Sequence, residues 1–351
     1  MMFINKKIKK FTILKNAKSA LKLYTFIIGD AIEPIFRIII GKIDPYILLS
    51  KISKIKPLDD ELLFIPSYAG HLGDVVNLLS LSKPVMLEKS LKMSIIVFDE
   101  KQFEIASLFK SDLKRIIWVD PGNLDYNFYP IRGLIYFIIF RSIKRGKINY
   151  INYILPSRLT WLIFDSFYNY HKWILNIKNP ERKFSTPMVD YETRSSVYLR
   201  LERMGFEKGK TIIINPYSYT IKDELTSFWN NLVHELKKLK FEVITYVIGD
   251  QKPISGTAGL SSTLNEIIPI AEFCGTVISI RSGFNDLLQF AQCRLVNIYP
   301  AKHLFGLPKE KSMINIFSLY INNSSHLDLI LENEMYEVAI EKILNFVQTQ
   351  K

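Results

Sequence analysis

Three short stretches combine glycine, hydroxyl, histidine and charged residues at spacings that suit proton transfer or anion binding. The first, SYAGHLGDVVNLL, runs from residue 67 to residue 79 and contains Gly70, His71, Gly73 and Asp74. Glycine lets a backbone approach a ligand closely, and a carboxylate can act as a general base. Asp74 is therefore a candidate base, with His71 a candidate acid, base or phosphate partner. The alternative is that Asp74 only caps the free N–H groups of the following helix.

The second stretch, NPYSYTIKDELTSFW, covers residues 215–229. Ser218 and Lys222 lie between an apolar run and a helix-like segment. Hydroxyls and one lysine ahead of a helix N-terminus favour binding of a phosphate group. The alternative is a capped loop with a solvated lysine.

The third stretch, SIRSGFNDLLQF, covers residues 279–290 and directly follows an apolar run. Arg281, Ser282 and Gly283 end that run, and Asp286 lies one helical turn later. A guanidinium and loop N–H groups at a helix start could converge on an anion. The alternative is an ion pair between Arg281 and Asp286 that only stabilises the end of a strand.

Alternating strand-like and helix-like segments must position these three stretches. Strands are predicted at 61–67, 94–99, 115–120, 211–218, 241–249, 276–280 and 294–300, with helices between them, including 74–88, 191–206 and 224–240. This alternation is typical of parallel, doubly wound α/β sheets. We predict a basic, partly helical lead-in at 1–58, α/β halves at 59–187 and 188–325 with a hinge near 185–210, and a C-terminal helix at 326–351. Open α/β sheets bind ligands beyond the carboxyl ends of their strands, where the three stretches fall.

Composition and motif content exclude several classes of protein. The 351 residues carry 48% hydrophobic residues and a formal net charge of +12, which indicates a globular chain attracted to anions. Its two cysteines, Cys274 and Cys293, are predicted to be buried thiols in a reducing cytoplasm. The sequence lacks GxxxxGK[ST], HExxH, CxxC and GxSxG motifs, and no metal site is predicted. A nicotinamide-dependent oxidoreductase would need GxGxxG after a first strand, which is also missing.

Basic segments suggest contact with an anionic surface. The N-terminus alternates lysine with apolar residues and has no secretory signal, and charged residues interrupt 24–42, which argues against a transmembrane helix. The apolar stretch 133–140 is flanked by arginines and lysines, as in a membrane-surface patch, or else is a buried helix with a solvated basic end. We expect a cytoplasmic location, peripheral on the inner membrane. A basic α/β protein that binds nucleic acid without catalysis is the competing class, although no known nucleic-acid motif supports it.

In order along the chain, the three stretches resemble those of the heptosyltransferases, GT-B enzymes that build lipopolysaccharide cores from nucleotide-activated sugars. HLGDVVNLLSL resembles the family's Gly-Asp loop, IIINPYSYTIKDELTSFW its small-residue loop with a lysine, and RSGFND its Asp-Thr-Gly-x-x-His loop. The resemblance covers roughly residues 60–120 and 210–300. It implies two Rossmann-like domains facing each other across a cleft, with the acceptor on the first half and the nucleotide sugar on the second.

The resemblance also implies roles for individual residues. Asp74 matches the family's general base, Lys222 its donor-phosphate lysine, and Ser282 and Gly283 its backbone donors to phosphate. Arg281 replaces the family's aspartate and Asp286 its histidine, so the donor need not be ADP-heptose, and we read the chain as a divergent relative. The implied reaction is an inverting transfer without metal or other cofactor. Its acceptor is a surface polysaccharide or a lipid-linked glycan, and nucleic acid is not expected as a partner.

Overall fold

Two parallel β-sheets, one in each half of the chain, organise the computed structural model of the protein. The structure describes residues 51, 54–56, 58–65, 72–120, 150–152, 175, 177, 184–218, 225–300, 326–331 and 335–349. All strand pairs within both sheets are parallel among these residues. The predicted α/β class is therefore confirmed.

The sheet of the first half has four described strands in the order β3-β2-β1-β4. Its elements are β1 (Glu61–Ile65), α1 (Leu72–Leu79), α2 (Ser82–Lys89), β2 (Lys92–Val97), α3 (Glu100–Leu108), β3 (Leu113–Trp118) and β4 (Tyr150–Asn152). The strand order reverses beside β1, since β2 and β4 lie on opposite sides of it. Such a reversal opens a crevice at the carboxyl end of β1, which is where α1 follows.

The sheet of the second half has six described strands in the order β10-β9-β8-β5-β6-β7. Its elements are α4 (Tyr191–Arg203), β5 (Thr211–Asn215), α5 (Thr226–Lys238), β6 (Glu242–Tyr246), β7 (Ala258–Leu260), α6 (Ile267–Cys274), β8 (Thr276–Ile280), α7 (Gly283–Leu288), β9 (Arg294–Pro300), β10 (His326–Leu331) and α8 (Tyr336–Gln348). Here the order reverses between β5 and β8. The loops after these two strands are the second and third stretches that the sequence singled out.

Both faces of the second sheet are covered, as expected for a run of isoleucines in a buried parallel strand. Ile212 and Ile214 of β5 pack into one core with α5 and α8, and Ile213 between them faces the opposite core. That opposite core includes α6 and continues into the first half. It contains Phe109 after α3 and Phe290 after α7, whose rings meet edge to face with centroids 5.9 Å apart. The two halves therefore share one apolar core.

Hydrogen bonds hold both ends of the segment that connects the two halves. Ser185 donates its N–H to the carbonyl of Ser80 at 2.8 Å, and its hydroxyl lies 2.7 Å from the hydroxyl of Ser82. Five residues later, Asp190 caps α4 by accepting the Thr193 N–H at 2.7 Å. Because α4 then packs on α6 of the second half, this segment leads directly from one sheet to the other.

Several predicted elements differ from those in the structure. The C-terminal helix predicted from residue 326 is wrong for its first part, because His326–Leu331 forms β10 and pairs with β9. The helix predicted at 74–88 begins at Leu72 and breaks after Leu79. Strands β4 and β7 were not predicted. The lead-in up to residue 50 and the apolar stretch 133–140 lie outside the described residues, and no helix within the described residues could span a membrane.

Candidate active site

Helix α1 brings Asp74 to the carboxyl end of β1, the central position of the first sheet. Asp74 is the third residue of α1, and its side chain lies outside the described residues. Gly70 and His71 precede the helix and also lie outside the described residues. A carboxylate in the first turn of a helix is stabilised by the free N–H groups and the helix dipole. The backbone thus places Asp74 where the sequence predicted it, at the start of the helix after the first strand.

Arg281 and Asp286 form a buried, bidentate ion pair at the end of β8. Nη2 of Arg281 lies 2.5 Å from Oδ1 of Asp286, and Nη1 lies 3.0 Å from Oδ2. The two side chains are only 8% and 5% exposed. Of the two possibilities that the sequence left open, the structure therefore shows the ion pair between Arg281 and Asp286. A donor phosphate would have to compete with Asp286 for the guanidinium.

Burial and ion pairing shift the pKa values of these two groups in opposite directions. Burial raises the pKa of the Asp286 carboxyl, and Arg281 and Asn77 limit that rise. Burial alone lowers the pKa of the Arg281 guanidinium, but Asp286 and Tyr299 outweigh it and the net shift is upward. Arg281 therefore stays protonated, as a buried guanidinium with a carboxylate partner should.

Ser282 caps α7 and so uses polar groups that could otherwise reach a ligand. Its backbone N–H donates to Oδ1 of Asn285 at 3.0 Å, and its side chain takes part in a capping box with the same residue. Asn285 is 1% exposed. Reciprocal capping of this kind fixes the first turn of a helix. The predicted backbone donor at Ser282 is thus engaged within its own helix.

Gly73 of α1 and Gly283 of α7 pack against each other across the two halves. A Cβ atom added to Gly283 would lie 2.8 Å from the backbone nitrogen of Gly73. A Cβ atom added to Gly73 would overlap Oδ2 of Asp286 and lie 3.1 Å from Cα of Gly283. Neither position has room for a side chain, so both glycines are required by close approach of the two helices.

Asn77, one turn beyond Gly73, links α1 to the ion pair. Its side chain lies beside the Asp286 carboxylate and opposes the rise that burial causes in the pKa of that group. Asn77 is 1% exposed, and its Oδ1 has no hydrogen-bond partner. A buried amide without full satisfaction is costly, and such groups often mark functional positions. The sequence analysis did not single out Asn77.

A row of buried and half-buried polar side chains, here called the polar row, crosses four neighbouring strands of the second sheet. Asn215 of β5 donates to Ser279 of β8 at 3.2 Å, and the Ser279 hydroxyl donates to Asn285 at 3.0 Å. Asn285 donates to Asn297 of β9 at 2.6 Å, which donates to Asp328 of β10 at 2.7 Å. The row lies on the sheet face that carries the shared core, and at β5 and β8 it lies at or next to the carboxyl end of the strand, at the predicted ligand-binding edge.

The second predicted loop is only partly described. Ser218 follows β5 and lies within the described residues, whereas Lys222 lies outside them. Beside Ser218, the hydroxyl of Tyr217 donates to the backbone carbonyl of Lys252 in the loop after β6. Burial raises the pKa of Tyr217, so its hydroxyl remains a donor at neutral pH. The structure thus brings the loops after β5 and β6 together at the carboxyl edge of the sheet.

The structure brings several of the predicted residues into direct contact. Gly73, Gly283, Arg281 and Asp286 meet in one contact between α1 and α7, and Ser282 caps α7 beside them. Asn77 and the polar row were missed. The polar row could have been recognised from polar residues in otherwise apolar strands, such as Asn215. Asn77 could have been recognised as an asparagine within an apolar helix.

The described residues contain no group of three or more histidine, cysteine, aspartate or glutamate side chains that could hold a metal ion. Both cysteines are buried and free, as predicted. Burial raises the pKa of the Cys274 thiol, and raises that of Cys293 to about 12. Neither thiol is therefore activated as a nucleophile or a metal ligand.

Solved structures resemble this arrangement of two sheets. A family 9 glycosyl transferase from Veillonella parvula aligns with 82% of this chain and 90% of its own, with 13% identity and a TM-score of 0.53. The ADP-heptose lipopolysaccharide heptosyltransferase II of E. coli aligns with 83% of this chain and 99% of its own, with 11% identity and a TM-score of 0.53. The chain has the GT-B fold.

A third structure with this GT-B fold contains a nucleotide. The E. coli heptosyltransferase WaaC with ADP aligns with 82% of this chain and 99% of its own, with 10% identity and a TM-score of 0.50. Comparisons with protein-family models and with curated proteins find no match. The similarity is therefore one of fold, and the GT-B architecture predicted from the three stretches is confirmed.

Proposed function

We propose that the protein is a glycosyltransferase that moves a sugar from a nucleotide-sugar donor to a surface-polysaccharide or lipid-linked acceptor. The observation that carries the proposal is the contact between α1 and α7 within a GT-B fold. In this contact the first turn of α1, which contains Asp74, lies directly beside the loop after β8, at the strand-order reversal of the second sheet. Ligands of open α/β sheets bind at such reversals.

The proposed reaction is a single displacement that inverts the anomeric carbon. The Asp74 carboxylate accepts the proton of the acceptor hydroxyl as its oxygen bonds to that carbon. The bond from the anomeric carbon to the diphosphate breaks, and its electron pair leaves with the nucleotide diphosphate. His71, three residues earlier, would assist proton transfer or contact phosphate. The chemistry requires no metal ion or other cofactor.

The departing diphosphate needs positive charge and hydrogen-bond donors. We assign this role to Ser218 and Lys222 after β5 and to Gly283 after β8, in the pattern of the heptosyltransferase loops, whereas the polar groups of Ser282 already cap α7. Stabilisation of charge that develops on a leaving group is commonly a large part of enzymatic rate enhancement. Because Arg281 is already bound to Asp286, we assign that pair a positioning role instead of direct phosphate binding.

We also propose that the enzyme works at the cytoplasmic face of an anionic membrane, where a lipid-linked acceptor would lie. The support is the net charge of +12 and the basic residues that flank the apolar stretch 133–140. Binding to anionic vesicles, with little binding to neutral ones, is the expected result. Equal binding to both kinds of vesicle would contradict the proposal.

The substitution Asp74→Asn tests the catalytic assignment. After thermal-shift screening with UDP-, GDP-, CMP- and ADP-sugars has identified a donor, the variant should transfer sugar about 10²–10⁴-fold more slowly, because the amide cannot accept the proton. Donor affinity, measured by calorimetry, should change little, since Asp74 acts on the acceptor.

Asp99→Asn is the matched control for this experiment. Asp99 also stands at a helix start after a strand of the first sheet, where its side chain accepts the Gln102 N–H at 2.7 Å. Asparagine caps helices as well as aspartate does, so this variant should keep full activity. Full activity of Asp74→Asn would remove the assignment, and the lack of a thermal shift with every nucleotide sugar would count against a transferase.

A further inference from the structure

Three different contacts fasten α1 of the first half to α7 of the second. The backbones touch at Gly73 and Gly283. The Asn77 side chain lies beside the Asp286 carboxylate and favours its ionised form. Asp286 is in turn held by Arg281 through two hydrogen bonds of 2.5 and 3.0 Å. Gly73, Asn77, Arg281 and Asp286 are buried and Gly283 is half-buried, so water has little access to these contacts when one of them is lost.

The positions of these residues along α1 determine what the contacts fix. Gly73 and Asn77 are four residues apart, so they lie on the same face of the helix and meet the same carboxylate. Asp74 follows Gly73 directly and is about 100° further around the helix axis. A contact that fixes the face with Gly73 and Asn77 therefore also fixes the direction in which Asp74 leaves the helix.

We propose that Asp286 is a positioning residue, which sets the rotation and depth of α1 and thereby the place of Asp74 relative to the donor loop. This inference rests on the proposed glycosyltransferase function and assigns Asp286 a part in it. Asp286 does not touch the substrates in this role. It acts through Asn77 and Gly73, and it joins the catalytic helix of one half to the donor side of the other.

Arg281 contributes to the same positioning role. It supplies the charge that keeps the Asp286 carboxylate ionised in a buried site, because an unpaired carboxylate there would be costly. Its backbone N–H also donates to the carbonyl of Ile298 in β9 at 2.9 Å. The arginine at the end of β8 thus anchors Asp286 to the strands of the second sheet, and a carboxylate anchored in this way can hold α1 in a fixed place.

The test uses variants of the full-length chain that weaken the contact without emptying the site. Asn77→Leu keeps a similar volume and removes the polar group beside Asp286, while the ion pair remains. Asp286→Asn keeps the shape and removes the charge. With the donor found by thermal-shift screening, we expect kcat to fall about tenfold or more in each variant, because modest misplacement of a reacting group has large effects. The KM for the donor should stay within about twofold of the wild type.

Glu61→Gln is the control for loss of stability alone. Glu61 is fully buried and accepts two hydrogen bonds from Arg115, at 2.5 and 2.7 Å, but it lies at the amino end of β1, away from α7. This variant loses a buried ion pair and should unfold more easily while keeping the wild-type kcat. Hydrogen exchange of the amides at 72–79 gives a second measurement that needs no substrate. Exchange there should be faster in Asn77→Leu and unchanged in Glu61→Gln.

The outcomes separate the two proposals. An active wild type whose Asn77→Leu and Asp286→Asn variants keep the wild-type kcat would overturn the positioning role and leave the transferase function standing. A wild type that transfers sugar from none of the nucleotide sugars would overturn the proposed function. In that case, unchanged exchange at 72–79 in Asn77→Leu would overturn the fastening of α1 as well, whereas faster exchange would support it.

Discussion

Two glycines decide how closely the halves of this molecule approach each other. In most helices glycine lowers the stability slightly, because it loses more conformational freedom on folding than other residues do. Gly73 and Gly283 are exceptions, because the first turns of α1 and α7 touch where a Cβ would stand. Their close approach also brings Gly73 of α1 against the Asp286 carboxylate of α7.

Gly73→Ala is expected to lower the free energy of unfolding by about 2 kcal/mol, despite alanine's better helix propensity. The new Cβ would overlap Asp286, which Arg281 holds in place, and crowded cores of this kind lose about 1–3 kcal/mol. Urea unfolding of the two proteins measures the difference. Gly259→Ala is the control, because its Cβ would meet its nearest neighbour at an ordinary 3.5 Å. A Gly73→Ala protein as stable as the control would contradict the packing described here.

Sequence reasoning reached some residues of this site and missed others for a physical reason. Arg281, Asp286 and Gly73 were identifiable because each is unusual for its local position. Asn77 is not unusual in isolation, since asparagine is common in exposed helical turns. Its importance comes from Asp286, more than two hundred residues away in the chain, and no local pattern contains that contact.

At the level of elements, all seven predicted strands are present, but only two of them have the predicted ends. The run 294–300 matches β9 residue for residue, and 276–280 matches β8. Residues 326–331 were assigned to a helix, although they form β10. The sequence HLDLIL alternates like a strand, but it continues into an apolar helix, and pairing with β9 decides the outcome. The Asn297–Asp328 hydrogen bond further stabilises the pairing of β9 with β10.

The edge strand β3 carries an exposed aromatic pair that suits the proposed membrane contact. Trp118 of β3 is 52% exposed, and Phe103 of α3 is 42% exposed, with ring centroids 6.0 Å apart. Tryptophan favours the interface between water and lipid. The segment that follows β3 contains the apolar stretch 133–140 and its basic flanks.

Cosedimentation with vesicles tests this surface. The wild type should bind vesicles that contain phosphatidylglycerol, bind phosphatidylcholine vesicles weakly, and lose binding as salt is raised. Trp118→Ala with Phe103→Ala should weaken binding several-fold, because two interfacial anchors are lost. Tyr191→Ala serves as the control, since Tyr191 is 82% exposed on α4 of the second half. Equal losses in both proteins would exclude β3 as the contact.

The whole molecule behaves as one unit in this structure because its main core crosses both halves. Buried residues of α1 and α3 share that core with residues of α6 and α7. Two domains joined only by a hinge would unfold separately, whereas a shared apolar core couples them. The proposed mechanism requires such a connection, because it would keep α1 in a fixed place beside the loop after β8 before any substrate binds.

The contact between Phe109 and Phe290 offers a direct measurement of that coupling. Both rings are at least 92% buried, and each comes from a different half. We expect Phe109→Ala and Phe290→Ala each to cost about 3–4 kcal/mol, and the double variant to cost about 1 kcal/mol less than their sum, because the edge-to-face pair is lost only once. Thermal or urea unfolding, followed by tryptophan fluorescence and by circular dichroism, gives the three values. The wild type should unfold in a single transition by both probes. Two separate transitions in the wild type, or strictly additive losses, would show that the halves fold independently and that the shared core does not couple them.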